Sequence, residues 1–161
     1  MIDGKEYGQS MATLRMLGQK YGYYDAQNWR CAAKVDVMVD AWGDMLKIGG
    51  LTLKILGGAK KEDLYDEFDK KVEAVFVPAL KYLENQLAED GGPYLAGDKL
   101  TIGDCCFVAM LANLFENPAG PWAERFKPVL AQYPKVQAYH LALREAFKER
   151  LGDPTRTPKP M

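Results

Sequence analysis

The sequence predicts an all-α protein, and three observations predict it. Apolar residues recur at helical spacing along most of the chain. Glycine and proline clusters break that pattern into six runs of helix length. A Thr101–Asp104 pair with capping-box spacing stands just before a run that is apolar on every side.

The elements follow in order. Asp3-Gly4 marks a tight turn, and Lys5-Glu6-Tyr7 after it reads as a short strand. Met11, Leu14, Leu17 and Tyr21 then keep helical spacing. Ser10 is placed as the N-cap of that helix and Gly22 as its left-handed stop. A second helix is expected from about Asp25, with Cys31, Val35, Met38, Trp42, Met45 and Leu46 as its apolar stripe, ending at Gly49-Gly50. Leu51 to Leu56 is too short to assign from its pattern. The third helix carries Leu64, Phe68, Val72, Phe76, Leu80, Leu83 and Leu87. Pro78 inside it should loosen one turn, because it removes an N–H and crowds the carbonyl four residues back.

Asp90-Gly91-Gly92-Pro93 stops that helix. At Thr101 the hydroxyl can bond the Asp104 N–H while the Asp104 carboxylate reaches back, which starts a central buried helix with Cys105 to Leu111. Pro118 and Pro121 break the chain again. Trp122 to Leu130 gives a short helix, and Val136, Tyr139, Leu143, Phe147 and Leu151 a final amphipathic one. The tail from Gly152 to Met161 holds three prolines and little to bury, so it should be ordered only where something holds it.

Composition narrows the function classes. The 161 residues are 48% hydrophobic and 27% charged, enough for one domain with a real core. Net charge is −1, with basic and acidic residues interleaved. That argues against a nucleic-acid surface, which needs a clustered positive field. No window approaches the roughly 18 apolar residues of a membrane span, and Met1 to Glu6 has no signal-peptide pattern. Three cysteines without a Cys-x-x-Cys spacing argue for an intracellular reducing compartment, the cytoplasm first or an organellar complex. A single histidine, His140, leaves no material for a metal site or a histidine-based triad. His140 and the tryptophans Trp29, Trp42 and Trp122 read as packing or interface residues.

Four stretches together resemble the glutathione transferase family. The run Tyr94-Leu95-Ala96-Gly97-Asp98-Lys99-Leu100-Thr101-Ile102-Gly103-Asp104 is similar to the family's segment before its buried helix. Pro78 to Glu84 resembles the preceding helix, and Tyr133 to Tyr139 a later helix start. Asp3 to Leu17 resembles the end of the thioredoxin-like half, and its Gln-Ser pair is most similar to the sigma class. The resemblance implies the helical C-terminal bundle over residues 23–151, a remnant of the thioredoxin-like domain (last strand and last helix) over 1–22, and a tail over 152–161. It also places Tyr7 in the core of that last strand.

The resemblance implies site residues as well. Gln9 and Ser10 would hold the γ-glutamyl end of glutathione, and a helix N-terminus suits a carboxylate. Asp44 would reach a partner's glutathione across a dimer; read by itself it is a solvated helix acid. The family's catalytic Tyr, Ser or Cys and its cis-proline belong to strands that precede Asp3, so no catalytic residue is assigned here, and no cofactor or metal is expected beyond glutathione as a possible ligand. Cys105 and Cys106 read as packing, although a helix N-terminus can activate a thiol. Two functions follow. One is a non-catalytic scaffold or interaction subunit, with a protein partner or a second copy covering the Met11/Leu14/Leu17 side and holding the tail. The other is the rear portion of an active transferase that conjugates glutathione to electrophilic hydrophobic substrates.

Overall fold

A computed structural model describes residues 2–112, 116–117 and 120–153. Among these residues nine α-helices form and no β-strand does. The helices are α1 (Ser10–Tyr21), α2 (Trp29–Met45), α3 (Gly49–Leu56), α4 (Tyr65–Lys71), α5 (Val77–Asp90), α6 (Ile102–Met110), α7 (Ala123–Leu130), α8 (Pro134–Ala146) and α9 (Lys148–Leu151).

The expected strand is not there. Ile2 and Lys5 exchange backbone bonds of 2.9 and 3.0 Å around Asp3 and Gly4, both at positive φ, and the chain then runs irregularly to α1. The Asp-Gly turn forms, but a single bridge has no neighbouring strand to extend it. Tyr7 is therefore not a core residue: it is 50% exposed.

Helix boundaries moved for identifiable reasons. Asp25 does not start α2. Its Oδ1 accepts from the N–H groups of Gln27 and Asn28 at 3.0 and 3.3 Å, and that turn delivers the chain to Asn28, whose side chain caps Cys31 N–H at 3.2 Å. Gly49-Gly50 does not stop the helical path. A short 3-10 turn (Leu46–Ile48) leads straight into α3, with Gly49 in right-handed helical geometry. Met45, Ile48 and Leu51 are all buried on this stretch, and their burial outweighs the roughly 1 kcal/mol that each helical glycine costs. Leu51–Leu56, unassigned from its pattern, is thus helical.

Pro78 acts one turn early. The stretch Val72–Phe76 widens into a π-helical turn, in which Val77 N–H bonds Val72 O, five residues back. The carbonyl that would crowd Pro78 belongs to Ala74, inside the widened turn, and Pro78 lies in the first turn of α5. The apolar stripe survives: Val72, Phe76, Leu80, Leu83 and Leu87 are all buried. The final helix divides at Phe147 into α8 and α9. Pro118 and the tail from Pro154 to Met161 lie outside the described residues.

Helix α6 is the centre of the fold, with seven of its nine residues buried. It packs against α2, α8 and α1. The approach of α1 depends on Gly18, where a Cβ would lie 2.6 Å from Ile102 Cγ2 and 2.9 Å from Tyr24 Cβ. A second core layer is aromatic. Phe68 stacks on Trp122 at 4.5 Å between centroids and meets Phe126 edge-on at 5.0 Å, which joins α4 to α7. Trp122 Nε1 donates to Thr52 Oγ1 at 3.1 Å, so the buried indole N–H is satisfied.

Candidate functional site

The N-terminus of α1 is the site to which sequence points, and its geometry is unusual. Gln9, not Ser10, occupies the cap position, with φ 63 and ψ 101. Ser10 is already helical, and no side chain caps α1, so the expected Ser10 N-cap does not form. The first intrahelical bond comes from Thr13 N–H to Gln9 O at 3.0 Å. The N–H groups of Ser10, Met11 and Ala12 precede it and point out of the helix end. The first turn contains no acidic side chain to neutralise the dipole. Gln9 and Ser10 are both exposed. A left-handed glutamine costs about 1–3 kcal/mol, and such strain is concentrated at sites where a side chain must be aimed.

Behind this end, α1 is clamped to α2. Arg15 Nε donates to Asp36 Oδ1 at 2.6 Å and Nη2 to Asp40 Oδ1 at 2.7 Å, while Tyr24 O–H donates to Asp36 Oδ2 at 2.8 Å. Burial first, and then the bond to Asp36 and its charge, raise the Tyr24 hydroxyl above its ordinary range against the opposing pull of Arg15, so it stays a donor. Sequence reading missed this cluster, because nothing in the one-dimensional pattern relates Arg15 to acids more than twenty positions away. Asp44 sits in the last turn of α2, one turn beyond Asp40. It is exposed, and its carboxylate takes Lys47 Nζ at 2.6 Å; it bonds neither Gln9 nor Ser10.

The other face of α1 is apolar. Leu14, Leu17 and Tyr21 line one wall of a groove of about 390 Å³, and Ile102, Cys105 and Phe147 line the opposite wall. Met11 instead packs, half-buried, against the core.

The start of α6 is a structural centre. The Thr101–Asp104 capping box forms as expected, with Thr101 N–H donating to Asp104 Oδ2 at 2.7 Å. Asp104 does more than close a box. It is wholly buried and also accepts from Leu95 N–H at 3.0 Å, Thr101 Oγ1–H at 2.7 Å and Tyr139 O–H at 2.6 Å. One carboxylate thereby ties the 94–100 loop, α6 and α8 together. Burial, with the Asp104 charge beside it, pushes the Tyr139 hydroxyl well above its usual range, so it stays a donor. A parallel device joins two of the motif stretches: Glu84 on α5 accepts the N–H groups of Lys135 and Val136, at 3.1 and 2.9 Å, and caps α8.

The cysteines at this helix start are not activated. Burial raises the Cys105 thiol, with the Asp104 charge adding to it, and pushes Cys106 up to about 12. Desolvation of the thiolate outweighs the helix dipole here. His140 lies half-buried on α8, Trp122 is core, and Trp29 is 69% exposed. Among the described residues no three His, Cys, Asp or Glu gather as metal ligands, and no helix is long and apolar enough to cross a membrane.

Comparison with known proteins agrees with this architecture. Residues 56–148 match the family profile for the glutathione S-transferase C-terminal domain. The chain is 34% identical over 141 residues to probable glutathione S-transferase 6 of Caenorhabditis elegans, covering 85% of this chain and 66% of that protein. It is 24% identical over 143 residues to rabbit (Oryctolagus cuniculus) glutathione S-transferase alpha I, covering 86% of this chain and 62% of that protein. The chain thus spans about two thirds of these relatives' length or slightly less. Among solved structures, the monomeric transferase Na-GST-3 of the hookworm Necator americanus superposes with a TM-score of 0.70 at 24% identity, over 98% of this chain and 74% of that one. NaGST-2 superposes with a TM-score of 0.68 at 22% identity, over 98% of this chain and 73% of that one. These two likenesses speak for the fold alone. The profile match, covering more than half the chain, together with the central capping box and the helical bundle, places this protein in the glutathione S-transferase family, as a chain that carries the family's C-terminal helical domain.

Proposed function

We propose that this chain is a glutathione-gripping scaffold: the Gln9–Ser10 turn holds the γ-glutamyl carboxylate, and a protein partner occupies the Leu14/Leu17 groove. The observation that carries this reading is the left-handed Gln9 at an exposed, uncapped helix end. A helix built only for stability would place a capping side chain there at no strain. The exposed end offers N–H groups and partial positive charge to a carboxylate, and the Gln9 amide can add a directed bond. Among the described residues Cys105 and Cys106 have thiols raised by burial, so neither supplies a ready nucleophile, and the chain's part is to hold ligand and partner.

Glutathione titration followed by amide NMR tests the reading. Saturable shifts of the Gln9 to Thr13 amides are expected. Gln9→Gly should weaken binding about tenfold by removing the aimed amide. Shifts elsewhere, or none, would overturn it.

A second reading is favoured by the length relation to the relatives, of which 66% is spanned in the first case. In it the same turn works inside a complete transferase that conjugates glutathione to electrophilic hydrophobic substrates. Intact-mass measurement of the native protein separates the two. A mass near 18.0 kDa supports the scaffold, and a larger mass with conjugation of an aryl halide supports the enzyme.

A further inference from the structure

The apolar groove beside Leu14 and Leu17 does not end at Phe147. A second hollow of about 230 Å³ continues it along α6 to α9, and the two share Cys105 and Phe147. The floor follows α6. Ile102, Cys105 and Ala109 lie on that helix and Ala112 just beyond its end, at helical spacing over about 15 Å. One wall is α1 and the other is the junction of α8 and α9. Arg150 is the only charged side chain in the lining, and its Nη1 already donates to Asp153 Oδ2 at 2.8 Å. A segment buried here finds few groups to pair with its backbone, so it must satisfy its own N–H and C=O groups. Among the described residues no β-strand offers an edge to an extended chain. The groove thus fits a helix with an apolar ridge.

The chain carries such a ridge at the groove's own edge. Leu14, Leu17 and Tyr21 stand at i, i+3 and i+7 on α1, with Tyr21 65% exposed, and Tyr23 follows just past the helix end. The cations of the two walls are closed within the chain. On α1, Arg15 holds Asp36 and Asp40, and Lys20 holds Asp3 at 3.1 Å. On α9, Lys148 holds Glu145 at 2.5 Å, beside the Arg150–Asp153 pair. A face built in this way can meet its own copy without setting unpaired cations of the two walls against each other.

We infer that this groove is an interface between two copies of the chain, in which α1 of each protomer lies along the α6 floor of its partner. The inference rests on the reading that a protein covers the groove, and it names that protein. A two-fold axis makes the contact mutual, so ridge and groove of both copies are buried at once. The apolar area that either copy leaves open by itself is what drives the pairing.

Analytical ultracentrifugation of the full chain over a concentration series tests the interface. A reversible rise from 18.0 kDa to twice that mass is expected. Tyr21→Lys puts a cation at the C-terminal end of α1, where the helix dipole tolerates it, and should raise the dimer dissociation constant about tenfold or more. Tyr23→Lys lies outside any helix and should act in the same direction, with far-UV circular dichroism unchanged in both. Val37→Lys on the exposed face of α2 and Leu53→Lys on α3 add the same charge elsewhere and should leave association as it is. Alkylation of Cys105 by a maleimide, read by peptide mass spectrometry, should slow as the dimer forms, because Cys105 lines both hollows. A mass of 18.0 kDa at every concentration, equal weakening by Val37→Lys or Leu53→Lys, or Cys105 alkylation indifferent to concentration would each overturn the inference. None of these outcomes touches the Gln9–Ser10 turn, whose failure shows separately in the glutathione titration.

Discussion

Two helix N-termini define this molecule by contrast. The start of α6 is buried and saturated: Asp104 accepts four bonds from three parts of the chain. The start of α1 is exposed, uncapped and held by a glutamine in left-handed geometry. Both ends present the same physics, unpaired N–H groups at the positive end of a dipole. One end spends that potential on the fold. The other leaves it open to solvent, which is the condition for binding a ligand. The lesson is that a helix end serves recognition only where the fold declines to satisfy it.

The sharpest way to break the contrast is to remove Asp104. Asp104→Ala should strand the Leu95 and Thr101 N–H groups and the Tyr139 hydroxyl in a dry interior. A loss of about 4 kcal/mol is expected, or a fall in Tm of roughly 12 °C by calorimetry. A loss below about 1 kcal/mol would mean that the centre is not structural. Tyr139→Phe removes one donor to the same carboxylate and should cost about 2 kcal/mol in urea unfolding. At the other end the sign reverses. Gln9→Gly should stabilise the chain by about 1 kcal/mol, because glycine adopts positive φ without strain. Destabilisation there would show that the glutamine is held for the fold and not for a ligand.

Alkali probes the buried side more gently. Cys106 is pushed up to about 12 by burial, whereas an unfolded thiol titrates near 8.5. Below about pH 8.5 both states keep the proton and the group adds no pH dependence. Above that pH the unfolded chain releases it first, so stability falls as pH rises toward the folded value. The urea midpoint should therefore drop more between pH 7 and pH 10 in the native sequence than in Cys106→Ala. The smallest effect is expected at Ser10. Ser10→Ala should change stability by less than about 0.5 kcal/mol, since no cap bond is lost. Thr101→Ala, by comparison, should cost about 1–2 kcal/mol.

Much of this was legible in the chain. The Thr101–Asp104 spacing, the apolar run after it and the stripe from Leu64 to Leu87 each encode their structure within a few residues, because capping and amphipathic burial are local rules. Gly22, too, stops its helix in left-handed geometry as its position suggested. Gln9 and Ser10 were found through the resemblance, but their geometry was not: a positive φ at glutamine contradicts local preference, and only the surrounding structure can impose it.

What the sequence determined by itself is therefore the helical class, the central capping box and the order of the elements. Tertiary structure alone decided that Gly49-Gly50 stays helical, that Pro78 is accommodated by a widened turn, and that Leu95 and Tyr139 complete the Asp104 centre. It alone joined Arg15 to Asp36 and Asp40. The reason is common to all of them. Each depends on burial or charge contributed by residues distant in sequence, and those energies, of order one to a few kcal/mol apiece, exceed the local preferences that a linear reading can weigh.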